Sequence, residues 1–214
     1  MIVTRHGHAC LLIEASSTRV LVDPGIFSTS WQELTDLDAV LLTHQHADHA
    51  DVANIPRLMA ANPQARLIAE ATVAGMVSDL SPQIAAVGDN LDLNEISVEI
   101  LGGEHALLHP RIPRVGNVGY LFREDGGPSL FHPGDSYDVT PPGVDVLALP
   151  LVAPWASAAT TIDFANGVSP GKAIPIHDAF LGDTGKATWM RICGEAIDEN
   201  IPIDDPGLGE PYTL

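Results

Sequence analysis

Between Thr43 and Asp51 the chain reads THQHADHAD, three histidines and two aspartates within nine residues. Neutral imidazole and carboxylate are natural ligands of zinc and its first-row neighbours, and an ordinary surface turn has little use for such a density of them. The same residue types recur further along, each after a short apolar run. His105 follows SVEILGGE, Asp135 stands in HPGDS, and His177 with Asp178 follows AIPI. Polar side chains placed just after a buried strand project from the sheet edge into a cleft, where open sheets bind ligands. One histidine at a strand end is commonly a cap or a satisfied core residue. Four strand ends that each deliver histidine or aspartate point to a metal site.

The elements that must position these residues are visible in the apolar pattern. Runs at 9–13, 19–22, 39–42, 66–69, 97–101, 118–122, 130–131, 144–149 and 173–176, punctuated by Gly, Pro and Asp, read as strands, many of them buried. Val73, Met76, Val77 and Leu80 keep the spacing of one helical face. Trp189, Cys193, Ala196 and Ile197 do the same in a helix that Thr184 would cap, and a weaker helix starts near Pro56. DAVLLTH and VDVLALP look like equivalent strands of two halves. Two sheets face to face with helices outside would satisfy this pattern. No linker or shift in composition divides the chain, so residues 1–214 are expected to form a single domain.

Composition narrows the partners. Of 214 residues 45% are hydrophobic and 18% charged, which suits a packed core rather than disorder. Twenty-eight acids against ten Lys and Arg give a net charge of −18, which argues against nucleic acid and against a membrane surface. A small-molecule substrate is the better expectation. No apolar run approaches the roughly 20 residues of a membrane span, and the N-terminus lacks the pattern of a signal peptide. Two distant cysteines, Cys10 and Cys193, read as reduced thiols of a cytoplasmic protein.

His44-Gln45-His46-Ala47-Asp48-His49 resembles the HxHxDH signature of the metallo-β-lactamase superfamily. The early GHACLLIE and VLVDPG segments, His105, Asp135 and His177 also follow that family's order, so the resemblance runs from Gly7 to about Ala179. It implies an α+β, four-layer αβ/βα sandwich and two adjacent divalent ions, zinc by default, with manganese, iron or nickel suited to the same donors. His44, His46 and His105 would hold the first ion, and Asp48, His49 and His177 the second, with Asp135 bridging. Asp23 would orient the ligand turn.

Several residues stay open. His8 is either a substrate contact or structural, and His132 either orients Asp135 or points away. His109, four residues beyond His105, competes with it as the third ligand. His105 is favoured because Gly102-Gly103 permit a tight turn, while Pro110 biases His109 toward an outgoing loop. Arg111 and Arg114 either bind an anionic substrate group or are solvated, and Trp155 either walls the pocket or belongs to the core.

The implied activity is hydrolysis of a small ester, lactone or phosphodiester by a metal-bridging hydroxide, with Asp48 orienting the nucleophile or shuttling a proton. The chain looks most similar to the ascorbate-6-phosphate lactonase-like branch. A mononuclear iron dioxygenase of the same fold and a non-catalytic metal-binding module are the alternatives.

Overall fold

Leu11 and Ile13 lie on one face of their strand and Cys10 and Leu12 on the other, and both faces are buried. A strand covered on both faces belongs inside a layered architecture. The computed structural model, which describes residues 1–198 and 200–214, has that form. β1 (Ile2–Gly7), β2 (Cys10–Ala15) and β3 (Thr18–Val22) run antiparallel in succession. β4 (Ala39–Leu42) then joins in parallel. After it come α1 (Ile55–Ala61), the parallel β5 (Arg66–Ala69), α2 (Ala71–Met76) and the short β6 (Gln83–Ile84).

The second sheet opens as an antiparallel meander of β7 (Asn90–Leu93), β8 (Ile96–Glu104), β9 (Gly116–Glu124) and β10 (Ser129–His132). β11 (Val146–Pro150), α3 (Ala158–Val168) and β12 (Lys172–Ile176) extend it in parallel. α4 (Asp183–Ala196) follows, and β13 (Pro211–Thr213) returns to the first sheet beside β1. The spatial orders are β13-β1-β2-β3-β4-β5-β6 and β12-β11-β10-β9-β8-β7. β4 and β11, the two strands whose sequences look alike, each lie between two parallel neighbours.

Three apolar layers hold the sandwich. Leu11, Ile13, Val20 and Leu41 meet Val98, Tyr120, Val146 and Ile174 between the sheets. Ile55, Leu58 and Val73 of α1 and α2 cover Leu21, Val40 and Leu42 on one outer face. Phe164 and Val168 of α3 and Cys193 of α4 cover Phe131, Leu147 and Leu149 on the other. This is the expected α+β, four-layer αβ/βα arrangement.

The local reading errs in instructive places. β1, β6, β7, β13 and α3 lie outside the runs read from the sequence. α3 carries two threonines and a glycine, weak helix formers, but a capping box between Ser157 and Thr160 fixes its start and Phe164 stacks on Tyr137 at 4.4 Å. The helix expected through Leu80 ends at Met76, which is exposed, and a short 3-10 turn carries Ser78–Leu80. Thr184 does not cap α4. Gly182 takes that position without a side-chain bond, and Thr184 lies inside the first turn. Gly102 and Gly103 lie within β8, at φ of +91° and +142°, rather than in a turn beyond it.

Candidate metal centre

The C-terminal ends of β4, β8, β10 and β12 bring their following residues to one place. The two sheets are tied there: the Tyr120 hydroxyl donates to the Leu42 carbonyl at 2.9 Å, and Val118 N–H to the Thr43 carbonyl at 3.0 Å. Asp23, just beyond β3, anchors the ligand turn from beneath. It accepts from the Thr43 N–H at 2.8 Å and hydroxyl at 2.7 Å, and from His49 Nδ1 at 2.7 Å. Pro24 and Gly25 pass directly under that turn. A Cβ at Gly25 would fall 1.8 Å from the Asp48 carbonyl oxygen, so only glycine fits.

Two four-residue clusters result. In the first, His44, His46, His105 and Asp135 converge; in the second, His8, Asp48, His49 and His177 do, and within each cluster the candidate donor atoms lie within 4.8 Å of one another. In the first, His44 Nε2 is 3.1 Å from His46 Nδ1 and 3.9 Å from Asp135 Oδ2, and His105 Nε2 is 3.3 Å from the same oxygen. Asp135 also reaches the second, with Oδ1 3.1 Å from His49 Nε2 and Oδ2 3.2 Å from His177 Nε2. Donor atoms sharing one ion at bond lengths of about 2.0–2.2 Å stand about 3–3.5 Å apart.

Hydrogen bonding fixes which nitrogen faces inward. His105 Nδ1 donates to the Ala106 carbonyl and His177 Nδ1 to the Val152 carbonyl, each at 2.7 Å. A carbonyl only accepts, so both rings carry a proton on Nδ1 and Nε2 is the nitrogen that faces the pocket. His49 is held likewise by Asp23. The inward atoms His49 Nε2, His105 Nε2, His177 Nε2 and Asp135 Oδ1 are buried without a hydrogen-bond partner. Leaving such an atom unpaired costs about 1–3 kcal/mol, and Asp23 and His177 also hold left-handed φ of +49° and +58°. Two divalent cations, one for each cluster with Asp135 shared, would resolve all four orphans, so the residues fit the metals that the motif implies.

Electrostatics agree with a cation site. Burial pushes His44 well below the usual histidine range, reinforced by His49, which keeps it neutral for ligation. Burial works against charge on His49 too, but Asp135 and Asp23 outweigh it and hold its pKa well above the ordinary value. A cation entering between these carboxylates competes with that proton. Asp48 is pulled up by burial, yet the His8 hydrogen bond and His49 bring it down to about 2, so it is ionised at neutral pH.

The open residues resolve unevenly. His109 is exposed and accepts from the Arg111 N–H, away from both clusters. Arg114 pairs with Glu104 and Asp138 at 2.8 and 2.6 Å and donates to the His105 carbonyl, so it braces the His105 segment rather than awaiting an anion. His132 spans the turn, with Nε2 donating to the Ala9 carbonyl and Nδ1 accepting from Gly134 N–H. The Trp155 indole donates to Asp135 Oδ2 at 3.0 Å. Asp178, beside His177, holds the buried Arg5 at 2.5 Å and Lys186 at 2.9 Å, a support that sequence reading missed.

Over the donors lies a cavity of about 80 Å³ lined by His46, Asp48, Leu108, Pro154, Trp155 and Phe180 among others. Trp155 also lines a neighbouring space of about 340 Å³ with Leu107, Tyr137 and Phe164. Phe27 and Phe180, both exposed, pack edge to face at 5.5 Å on the opposite side. A pocket with polar donors below and apolar walls above suits an organic molecule with one hydrolysable or oxidisable group.

Residues 2–177 match the family model of the β-lactamase superfamily domain. The Mycobacterium tuberculosis protein Rv0786c is 41% identical over 191 residues, 88% of this chain and 89% of its own. A UPF0173 metal-dependent hydrolase of Xanthobacter autotrophicus is 28% identical over 155 residues, 64% of this chain and 62% of its own. Among solved structures, the metallo-β-lactamase fold protein YhfI of Bacillus subtilis superposes with a TM-score of 0.75 at 16% identity, covering 99% and 98% of the two chains. CmlA, a diiron β-hydroxylase of Streptomyces venezuelae, gives 0.72 at 18% identity, with all of this chain lying on 54% of that one.

Proposed function

Because the chain belongs to the β-lactamase superfamily, with the metallo-β-lactamase fold, we propose that it is a metal-dependent hydrolase holding two divalent cations and cleaving a small ester, lactone or phosphodiester. The observation that carries this reading is the set of four buried, unpartnered donor atoms converging from four strand ends. His44, His46 and His105 would hold one cation and Asp48, His49 and His177 the other, with Asp135 shared. When bound, the cations supply Lewis acidity and lower the pKa of a water toward neutrality.

The protein's own groups do the rest. Ionised Asp48, mostly buried at the pocket floor, orients the attacking water and can pass its proton on to the leaving group. Trp155 fixes Asp135 by its indole N–H. Phe180, Leu108 and Trp155 line the cavity and offer apolar surface to the substrate beside the reacting group. Zinc is the first expectation for this donor set, with manganese, iron or nickel accommodated by the same residues. The apolar-walled pocket over the donors supports a small-molecule substrate, and the −18 charge disfavours nucleic acid and membrane surfaces. No helix among the described residues is long and apolar enough to cross a membrane. Two buried, unpaired thiols fit a cytoplasmic setting.

Metal analysis of protein purified without added metals, followed by a panel of esters, lactones and phosphodiesters with and without chelator, tests the proposal. Close to two ions per chain and chelator-sensitive hydrolysis are expected. A single iron with oxygen consumption and no hydrolysis would instead assign a dioxygenase, and metal without turnover of any kind a binding module.

A further inference from the structure

We propose that His8 is a direct ligand of the second cation, giving each half of the centre three imidazoles, with Asp48 belonging to the second half and Asp135 shared between them. The inference rests on the two-cation reading and adds to it a residue outside the HxHxDH motif and its three distant partners. His8 Nε2 lies 3.2 Å from Asp48 Oδ2, and His177 Nε2 lies 3.8 Å from that oxygen. The His8 and His177 rings are 4.0 Å apart, and the His8 ring is 5.6 Å from that of His49. Its candidate donor falls within 4.8 Å of those of Asp48, His49 and His177, the same closeness that unites the first cluster.

The backbone is shaped to deliver this ring. The pairing of β1 with β2 slips between Arg5 and Gly7, a bulge of the kind that re-aims a side chain beside an active site. His8 then takes a left-handed φ of +52°, costly for a residue with a Cβ. Its carbonyl accepts from the His177 N–H at 3.0 Å, locking the turn to the segment that carries a ligand. The His8 side chain is 1% exposed, and its Nδ1 has no hydrogen-bond partner. No second polar contact therefore holds the ring, and a bond at Nε2 supplies the missing restraint. A hydrogen bond to Asp48 alone would also place Nε2 near that carboxylate, so the two roles must be separated by a property that only ligation produces.

With His8 bound, Asp48, His49, His177 and the shared Asp135 give the second cation five protein donors, against four for the first. More than four donors suits metals that accept five or six ligands, such as manganese, iron, cobalt or nickel, better than tetrahedral zinc. The two halves then differ in metal preference, with the second half the more selective.

Cobalt(II) loading tests this directly, because an imidazole bound to the paramagnetic ion shows its remaining ring N–H far outside the normal proton NMR range. Six such signals are expected in the dicobalt protein, from His8, His44, His46, His49, His105 and His177. His8→Ala should lose one signal and bind the second cobalt at least about 10-fold more weakly, with the first unchanged. His8→Gln, which keeps a donor for Asp48, should lose the same signal. Five signals in the wild-type protein, a count needing no variant, would overturn the assignment while leaving two cations in place. Uptake of only one cobalt would overturn the two-cation reading and this assignment with it.

Discussion

Beneath the donor atoms every group is fixed, and above them the walls stand open. Asp23, Thr43, His44 and His49 are fully buried and linked by hydrogen bonds of 2.7–3.0 Å, whereas Phe27, Leu107, Leu108 and Phe180 are 41–51% exposed. The floor is over-determined, since His44, His49, His105 and His177 each have the outer nitrogen occupied and a mispositioned ring would cost a buried bond. The rim is held by few polar contacts and presents apolar surface to whatever enters. The contrast separates a rigid floor that carries the candidate ligands from an open apolar rim, and each variant below is a way to break that division or sharpen it.

Asp135→Ala should have the largest effect, because this carboxylate lies 3.1–3.9 Å from His44, His49, His105 and His177. Metal content and hydrolysis should fall together, activity by more than the roughly 10–100-fold typical of an outer partner. Wild-type turnover with Asp135 removed would refute its shared role. Next comes the pair His105→Ala and His109→Ala. The first should weaken metal binding and activity severely, and the second should keep most of both. Paired metal analyses decide, and the reverse result would move the third ligand of the first ion to His109.

Asp23→Asn touches no substrate. It keeps the size of the side chain but removes the charge behind His49 and one acceptor for Thr43, so a loss of about 10–100-fold in metal affinity is expected. Competition titration with a chromophoric chelator measures it, and unchanged affinity would show that the floor tolerates loss of its anchor. The smallest effect belongs to the rim. Phe180→Ala should raise KM by up to about tenfold for substrates with an apolar group, the equivalent of about 1.4 kcal/mol of lost burial, with metal content unaltered. A drop in bound metal in this variant would erase the division between floor and rim.

The convergence of the histidines and aspartates was legible because few residue types can serve as candidate ligands and because the motif is local. His44, His46, Asp48 and His49 lie on one turn, and His105, Asp135 and His177 each follow a recognisable apolar run. What escaped reading was non-local. Arg114 looked free as a sequence element, but its partners Glu104 and Asp138 are brought to it by β8 and by the turn after β10. His8 was visible only as a possible substrate contact, since nothing in GHAC announces a register slip or a left-handed turn. β7 and α3 escaped for a different reason. NLDL buries only alternate residues, and AATTIDFANGV depends on its cap and on Tyr137 rather than on intrinsic helix propensity. β13 is three residues long and pairs with β1 from the far end of the chain, a contact no local window contains.

The indole of Trp155 has an optical consequence. It donates to Asp135 and its ring lies 6.0 Å from His105 and 6.2 Å from His177, while Trp31 is buried on the outer face of the first sheet and Trp189 lies on α4. One of the three tryptophans is thus in contact with the centre. Cation binding at Asp135 changes the charge felt by that one emitter, so its fluorescence should change in colour on loading with a closed-shell ion and dim with an open-shell one. The protein carries its own loading gauge.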